Sequence, residues 1–233
     1  MHTEIVFSLC LFNEVDIAPF LRDLKREHPE IECRMSSSQG TLQIVLRSDH
    51  PLDAVALTFE EKFPTYVFHE KTIEEAVHLA LIGAKKTLGL AESCTGGALA
   101  ARLTALPDAS YYLRGSIVAY SNAWKERFLL VSPQTLTKHG AVSRETVEEM
   151  IQGIFSQTDV DYAIGVSGIA GPSGGTPQTP VGTICIGIGR RGERSDIGLI
   201  HAEKDRARAI DRAVQTSLCA LWRRIVHNTP TFT

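Results

Sequence analysis

The sequence lacks any hydrophobic run long enough to cross a membrane. The longest run near the amino terminus, residues 5–12, is far shorter than the ~18 residues that a spanning helix needs. The acidic residues Glu14 and Asp16 follow it, and no basic leader precedes it. A secretory signal is therefore not expected, and we predict a cytoplasmic protein with no membrane partner.

Paired cysteines and histidine motifs are also missing. The five cysteines are odd in number and scattered, and none forms a C-x-x-C pair: Cys10, Cys33, Cys94, Cys185 and Cys219. This distribution is typical of free thiols in a reducing compartment. The eight histidines include no H-E-x-x-H and no H-x-H, so the spacing indicates no metal site.

Glycine is scarce in the first 88 residues, which contain only Gly40 and Gly83 of the 18 glycines. Charge divides near the same point, because residues 1–82 carry 14 acidic and 7 basic side chains while the whole chain has a net charge of −3. The rest of the chain is therefore mildly basic. Such a change indicates two parts with different backbone requirements. We predict an acidic domain at residues 1–70 and a glycine-rich domain at residues 71–233.

The first domain follows the order β-α-β-β-α-β, which is typical of a small α+β module. Asp16 is the predicted cap of its first helix, and residues 36–40 are a predicted turn. KH domains have a similar size, but they grip nucleic acid through a GXXG loop, and this segment has only Gly40. Its negative charge would also repel phosphate. We therefore expect no nucleic-acid partner and a structural or dimerising role.

The second domain alternates short strands with helices from Lys86 onward. This alternation predicts a three-layer α/β/α sandwich with a largely parallel sheet. Ligands of such folds bind where strands end, and three segments meet that requirement: residues 92–97, 107–125 and 167–175. Each also has a purely structural interpretation, respectively a helix-capping turn, a helix start with an exposed lysine, and a flexible surface loop.

The three segments together supply hydroxyls, a tyrosine and a lysine, but no evident Ser-His-Asp set. The hydroxyls are those of Ser93, Thr95, Ser110 and Ser167. The turn at residues 93–97 opens a helix, whose free N–H groups favour an anion. Lys125 lies in the first turn of a helix that Asn122 can cap, and a serine with a lysine base is a known alternative to the triad. Such a base requires a depressed lysine pKa, which burial could supply.

Five motifs in this order and spacing carry a family resemblance. They are AESCTGG (91–97), RGSIVAYSN (114–122) with Lys125, HGAVS (139–143), VSGIAGPSGG (166–175) and PVGT (180–183). Over residues 72–226 the chain closely resembles the C-terminal domain of the CinA competence/damage-inducible family, which includes nicotinamide mononucleotide deamidases. Residues 1–70 resemble the KH-like linker of full-length CinA. We expect the family's molybdopterin-binding-like domain, and the ADP-ribose pyrophosphatase activity associated with it, to be absent.

The resemblance implies an amidohydrolase that converts nicotinamide mononucleotide to nicotinate mononucleotide and ammonia without a metal or other cofactor. Ser110 and Lys125 resemble the family's Ser–Lys pair, with Tyr120 beside them, and Ser93 is the alternative nucleophile. Asp108 stands where relatives more often carry glycine. The residues implied in substrate binding are Thr95, Gly96, Gly97, Ser167, Gly168, Gly171 and Arg206. The resemblance further implies a homodimer or larger homo-oligomer.

The alternative is a non-catalytic nucleotide-binding or regulatory protein linked to competence or DNA damage. Intact Ser110, Tyr120 and Lys125 favour the enzyme, because a protein that only binds a nucleotide has no need of a lysine near a serine.

Overall fold

The computed structural model describes residues 3–11, 14–38 and 41–232. The chain divides into two compact units, Met1–Ala76 and Val77–Thr233. The division lies a few residues beyond residue 70, inside a helix. None of the helices in the described residues combines the length and the hydropathy of a membrane span.

The first unit is a four-stranded antiparallel sheet with two helices. Its elements are β1 (Thr3–Cys10), α1 (Glu14–Glu27), β2 (Glu32–Ser38), β3 (Thr41–Ser48), α2 (Asp53–Lys62) and β4 (Val67–Phe68). The strands run in the order β2-β3-β1-β4 with antiparallel neighbours, an arrangement of the ferredoxin-like kind. Its core joins Phe7, Leu9 and Ile44 of the sheet to Ile17 and Phe59 of the helices.

Two local predictions in this unit differ from the structure. Helix α1 begins at Glu14, so Asp16 is not its cap. Strand β2 extends to Ser38 and pairs with β3 along its whole length, because ladder hydrogen bonds outweigh the turn preference of three consecutive serines. Gln39 and Gly40, the rest of the predicted turn, lie outside the described residues.

The second unit contains the other strands and helices. In order they are α3 (Ile73–Ala84, which spans the division), β5 (Leu88–Glu92), α4 (Ala98–Thr104), a 3₁₀ turn (Ala109–Tyr111), β6 (Leu113–Val118), α5 (Asn122–Leu129), α6 (Pro133–His139), α7 (Arg144–Gln157), β7 (Tyr162–Gly168), β8 (Thr183–Arg190), β9 (Asp196–His201) and α8 (Arg206–Val226). Helix α7 packs on the sheet and contacts α5 and α6. Helix α8 also packs on the sheet, and it contacts α4. The predicted three-layer α/β/α fold is confirmed.

The sheet of the second unit has the strand order β6-β5-β7-β8-β9. Strands β6, β5 and β7 are parallel, whereas β8 and β9 run antiparallel to their neighbours. The difference follows from the connections, since a parallel pair needs a crossover, usually a helix. Residues 169–182 and 191–195, which join the last three strands, contain no helix. The carboxyl ends of the parallel strands β5, β6 and β7 therefore share one edge.

Candidate active site

A serine and a lysine meet at the carboxyl edge of the parallel strands. Ser93 follows β5 directly, and Lys125 lies in the first turn of α5. The Lys125 Nζ lies 2.9 Å from the Ser93 Oγ and 3.0 Å from the carbonyl oxygen of Ala119. Only 2% of Lys125 and 6% of Ser93 is exposed. The two side chains therefore form a buried, hydrogen-bonded pair.

The burial of Lys125 changes its acid–base behaviour. Desolvation lowers the pKa of the Lys125 ammonium, with a smaller opposing effect from Cys94. A lower pKa increases the fraction of neutral amine near neutral pH, and only the neutral amine can accept a proton. Lys125 thus has the protonation behaviour that a general base requires.

Ser110 occupies a different environment. It is exposed in the 3₁₀ turn, and its carbonyl oxygen accepts a hydrogen bond of 3.1 Å from Arg114 Nη1. Among the described residues, the structure brings Ser93, and not Ser110, to the Lys125 amine. Asp108, two residues before Ser110, has a φ of 64°, a left-handed conformation that glycine adopts more readily.

Tyr120 and Arg206 lie together at an exposed rim. Arg206 Nη2 donates to the Tyr120 hydroxyl at 2.9 Å, and its Nη1 donates to the carbonyl of Gly171 at 3.0 Å. Tyr120 is 60% exposed, and Arg206 begins α8. The arginine thus links the end of the β6 segment to the glycine-rich loop. Ser121, rather than the predicted Asn122, caps α5 by accepting from the Trp124 N–H.

The N-terminus of α4 is already occupied by a carboxylate of the protein. The Glu92 side chain accepts hydrogen bonds from the N–H groups of Gly97, Leu99 and Ala100 at 3.0–3.1 Å. The sequence predicts that N–H groups at this helix start are free to bind an anion. That prediction is wrong for these three N–H groups, because Glu92 already accepts from them. The A-E-S-C-T-G-G motif contains Glu92, but residue spacing alone does not reveal that its carboxylate folds back onto the helix.

The predicted hydroxyl residues have different partners. Ser167 is buried and donates a 2.6 Å hydrogen bond to the carbonyl of Ala141, so it ties β7 to the HGAVS loop. Thr95 is buried, and its hydroxyl has no hydrogen-bond partner in the described structure. Thr183 shares this property and was not predicted, although the PVGT motif contains it. Unpaired buried hydroxyls are uncommon, and that of Thr95 lies in the turn that carries Ser93.

The glycines near the pair meet backbone or packing requirements, and the neighbouring cysteine is buried. Gly96 and Gly97 have positive φ angles of 61° and 97° in the turn after Ser93, and Gly171 has one of 86°. A Cβ on Gly168 would lie 3.0 Å from the Cys94 Sγ. Burial raises the pKa of the Cys94 thiol to about 12, so this thiol stays protonated and is a poor nucleophile.

A cavity lies away from the serine–lysine pair in the second unit. It measures about 800 Å³ and is lined by charged groups of α7, β9 and α8, among them Arg144, Glu148, Asp196 and Arg224. None of the predicted site residues lines it. No group of three or more His, Cys, Asp or Glu side chains is arranged to hold a metal ion within residues 3–11, 14–38 and 41–232.

Fold and site together define an α/β/α domain that carries a buried serine–lysine pair at the carboxyl edge of its parallel strands. The model of the CinA C-terminal domain family matches residues 70–225. The chain therefore belongs to the CinA family, as the motifs predict.

Individual relatives agree with this assignment. A CinA-like protein of Endomicrobium trichonymphae is 42% identical over 161 residues, which cover 68% of this chain and 37% of that protein. A CinA-like protein of Thermotoga maritima is 50% identical over 123 residues, or 53% of this chain and 30% of that protein. The chain thus spans about a third of the length of these relatives. The solved competence damage-inducible protein A of Klebsiella pneumoniae is 36% identical with a TM-score of 0.64, covering 68% of this chain and all of that chain.

Proposed function

We propose that the chain is a nicotinamide-nucleotide amidohydrolase that converts nicotinamide mononucleotide and water to nicotinate mononucleotide and ammonia. One observation carries the proposal, namely the buried hydrogen bond of 2.9 Å between Ser93 and Lys125. A lysine with a lowered pKa beside a serine is a nucleophile–base pair of the kind that cleaves amides.

Ser93 is the nucleophile in this proposal. Neutral Lys125 accepts the Ser93 hydroxyl proton while the Oγ bonds to the carboxamide carbon, and one of its own N–H groups donates to Ala119. The protonated lysine then gives its proton to the amide nitrogen, which leaves as ammonia when the C–N bond breaks. Neutral Lys125 then takes a proton from a water molecule whose oxygen bonds to the acyl carbon. The acyl C–Oγ bond breaks, nicotinate mononucleotide leaves, and Lys125 returns the proton to the Ser93 Oγ. The N–H groups of Cys94 and Thr95 follow the nucleophile directly in the chain, and we assign them as the donors that stabilise the oxyanion.

Arg206 holds the 5′-phosphate of the substrate. Its guanidinium is exposed at the rim and carries a fork of donors that matches phosphate oxygens. The bond from Arg206 to the Tyr120 hydroxyl orients the fork before the substrate arrives. Because Glu92 occupies N–H groups at the N-terminus of α4, we assign the phosphate to the arginine.

The decisive experiment incubates the purified full chain with nicotinamide mononucleotide and measures ammonia and the nicotinate nucleotide. We expect release that a chelator does not change. If folded protein releases nothing, yet the nucleotide still raises its melting temperature, the chain is instead a nucleotide-binding protein of the CinA family.

Two matched serine variants identify the nucleophile. Ser93→Ala should lower kcat by roughly 10³-fold or more and form no acyl-enzyme, whereas Ser110→Ala should keep kcat within a few-fold. The acyl-enzyme is detected by mass spectrometry after rapid acid quenching. An inactive Ser110→Ala beside an active Ser93→Ala would return the role to Ser110.

A further inference from the structure

Glu92 is the most heavily hydrogen-bonded side chain beside the serine–lysine pair, and the reaction proposed above gives it no chemical step. It is fully buried. One carboxylate oxygen accepts from the N–H groups of Gly97 and Leu99, and the other accepts from Ala100 N–H and, at 2.9 Å, from the Ser116 hydroxyl. A buried carboxylate with four donors is fixed in place.

The carboxylate closes the turn that carries the nucleophile. Ser93 is the residue directly after Glu92, and the turn runs from Ser93 to Gly97 before α4 begins. The turn therefore leaves the strand at Glu92 and meets the Glu92 side chain again at the helix N-terminus. The donation from Ser116 also fixes this turn to the neighbouring strand β6.

The backbone of Glu92 reaches the other member of the pair. Its carbonyl oxygen accepts a 2.8 Å hydrogen bond from the N–H of Ala119. The carbonyl of Ala119 in turn accepts the 3.0 Å hydrogen bond from Lys125 Nζ. One residue is thus connected by short chains of hydrogen bonds to both the Ser93 turn and the Lys125 amine.

We propose that Glu92 is a positioning residue that sets the distance between Ser93 Oγ and Lys125 Nζ. This inference rests on the proposed function, since it assigns a role in the same site. A carboxylate that serves only as a helix cap would affect stability alone. A positioning role also affects the reactivity of Ser93, because a displacement of about 1 Å at a reacting group can lower a rate by ~10²-fold.

The test compares Glu92→Gln with Asp161→Asn, which is a matched control at the other end of β5. The Asp161 carboxylate accepts hydrogen bonds from Thr87 N–H, the Thr87 hydroxyl and Lys86, and it lies outside the site. Both variants lose stability. Glu92→Gln should lower kcat on nicotinamide mononucleotide by ~10²-fold with KM changed less than a few-fold, whereas Asp161→Asn should keep kcat.

A second measurement does not depend on turnover of the nucleotide. Modification of Ser93 by a fluorophosphonate is followed by mass spectrometry, and Glu92→Gln should slow it by a similar factor relative to Asp161→Asn. This measurement separates the positioning role of Glu92 from the proposed deamidase activity. A chain that does not deamidate the nucleotide can still show the effect of Glu92 on the reactivity of Ser93. Equal modification rates in the two variants would reduce Glu92 to a helix cap.

If Glu92→Gln does not fold, Ser116→Ala is measured in its place. It removes one of the four donors and keeps the carboxylate, so we expect a smaller decrease in the Ser93 modification rate and in kcat, at unchanged KM. Unchanged rates in a folded Ser116→Ala, with no folded Glu92→Gln to measure, would overturn the proposal.

Discussion

Lys125 lies where its ammonium ion is poorly solvated. It is almost fully buried, and its position in the first turn of α5 sets its charge against the helix dipole. Within the described part of the chain, the Lys125 amine bonds to Ser93 and to the Ala119 carbonyl, and neither is a carboxylate. Both features favour the neutral amine, and burial lowers the pKa of Lys125. These features suit the role of a base that we propose for Lys125.

The pH dependence of kcat/KM should follow Lys125. Since the neutral amine is the active form, kcat/KM should rise with pH through the Lys125 pKa, which lies below the usual 10.5. Lys125→Met, which keeps chain length without a titratable group, should remove both the activity and the rise. A kcat/KM that falls from neutral to alkaline pH, in protein that stays folded, would contradict the role of a neutral lysine.

Arg206 should control substrate affinity more than chemistry. Arg206→Lys keeps the charge but loses the fork, so we expect KM for nicotinamide mononucleotide to rise about tenfold, a loss of about 1.4 kcal/mol, with kcat little changed. Arg208→Lys, two residues further along α8, is the matched control. The effect should vanish with nicotinamide riboside, which lacks the phosphate. An equal effect on riboside and nucleotide would show that Arg206 does not bind the phosphate.

At the scale of elements, close packing of α7 on the sheet explains part of the late glycine excess. A Cβ on Gly165 of β7 would lie 2.9 Å from Ile151, and one on Gly187 of β8 would lie 2.7 Å from the same residue. These strand glycines let α7 approach the sheet. The glycine distribution correctly indicates a change of backbone demand, but part of that demand is helix–sheet packing rather than substrate contact.

Strand β5 is fixed at its start by a carboxylate whose effect on stability can be measured. Partial burial acts to raise the pKa of Asp161, but hydrogen bonds from Lys86 and Thr87 outweigh it and lower the pKa. A carboxyl with a lowered pKa in the folded state stabilises the fold above its unfolded pKa, and this contribution is lost as the pH falls through the folded pKa.

Asp161→Asn should therefore lower the free energy of unfolding by about 1–2 kcal/mol at neutral pH. The difference from the unsubstituted chain should shrink below the ordinary aspartate pKa of about 3.9. Urea unfolding at several pH values measures it, and Asp159→Asn, an exposed neighbour, is the control. A difference that does not depend on pH would exclude the ionised carboxylate as its source.

The motifs identify the lysine of the serine–lysine pair and two candidate serines, but they do not show which serine lies beside the lysine. Ser110 and Ser93 both satisfy the pattern, and only the fold shows that the start of α5 faces the end of β5. The layers were predictable because strands and helices alternate regularly. The direction of β8 and β9 depends on connecting loops that contain no helix. It was not predictable, because the hydrophobic pattern of a buried antiparallel strand differs little from that of a parallel strand.

At the scale of the whole molecule, the first unit, Met1–Ala76, which is acidic, should be dispensable for the reaction. Every residue assigned to the site lies within Val77–Thr233. The solved Klebsiella pneumoniae chain is covered in full by a match to 68% of this chain. A fragment of residues 70–233, which keeps α3 whole, should retain kcat and KM within about twofold. The assay compares fragment and full chain at several protein concentrations. Light scattering reports the oligomeric state of each, which the family resemblance implies is a homodimer or larger homo-oligomer for the full chain. If the fragment is folded and monomeric but inactive while the full chain is dimeric and active, the acidic unit serves the reaction through assembly.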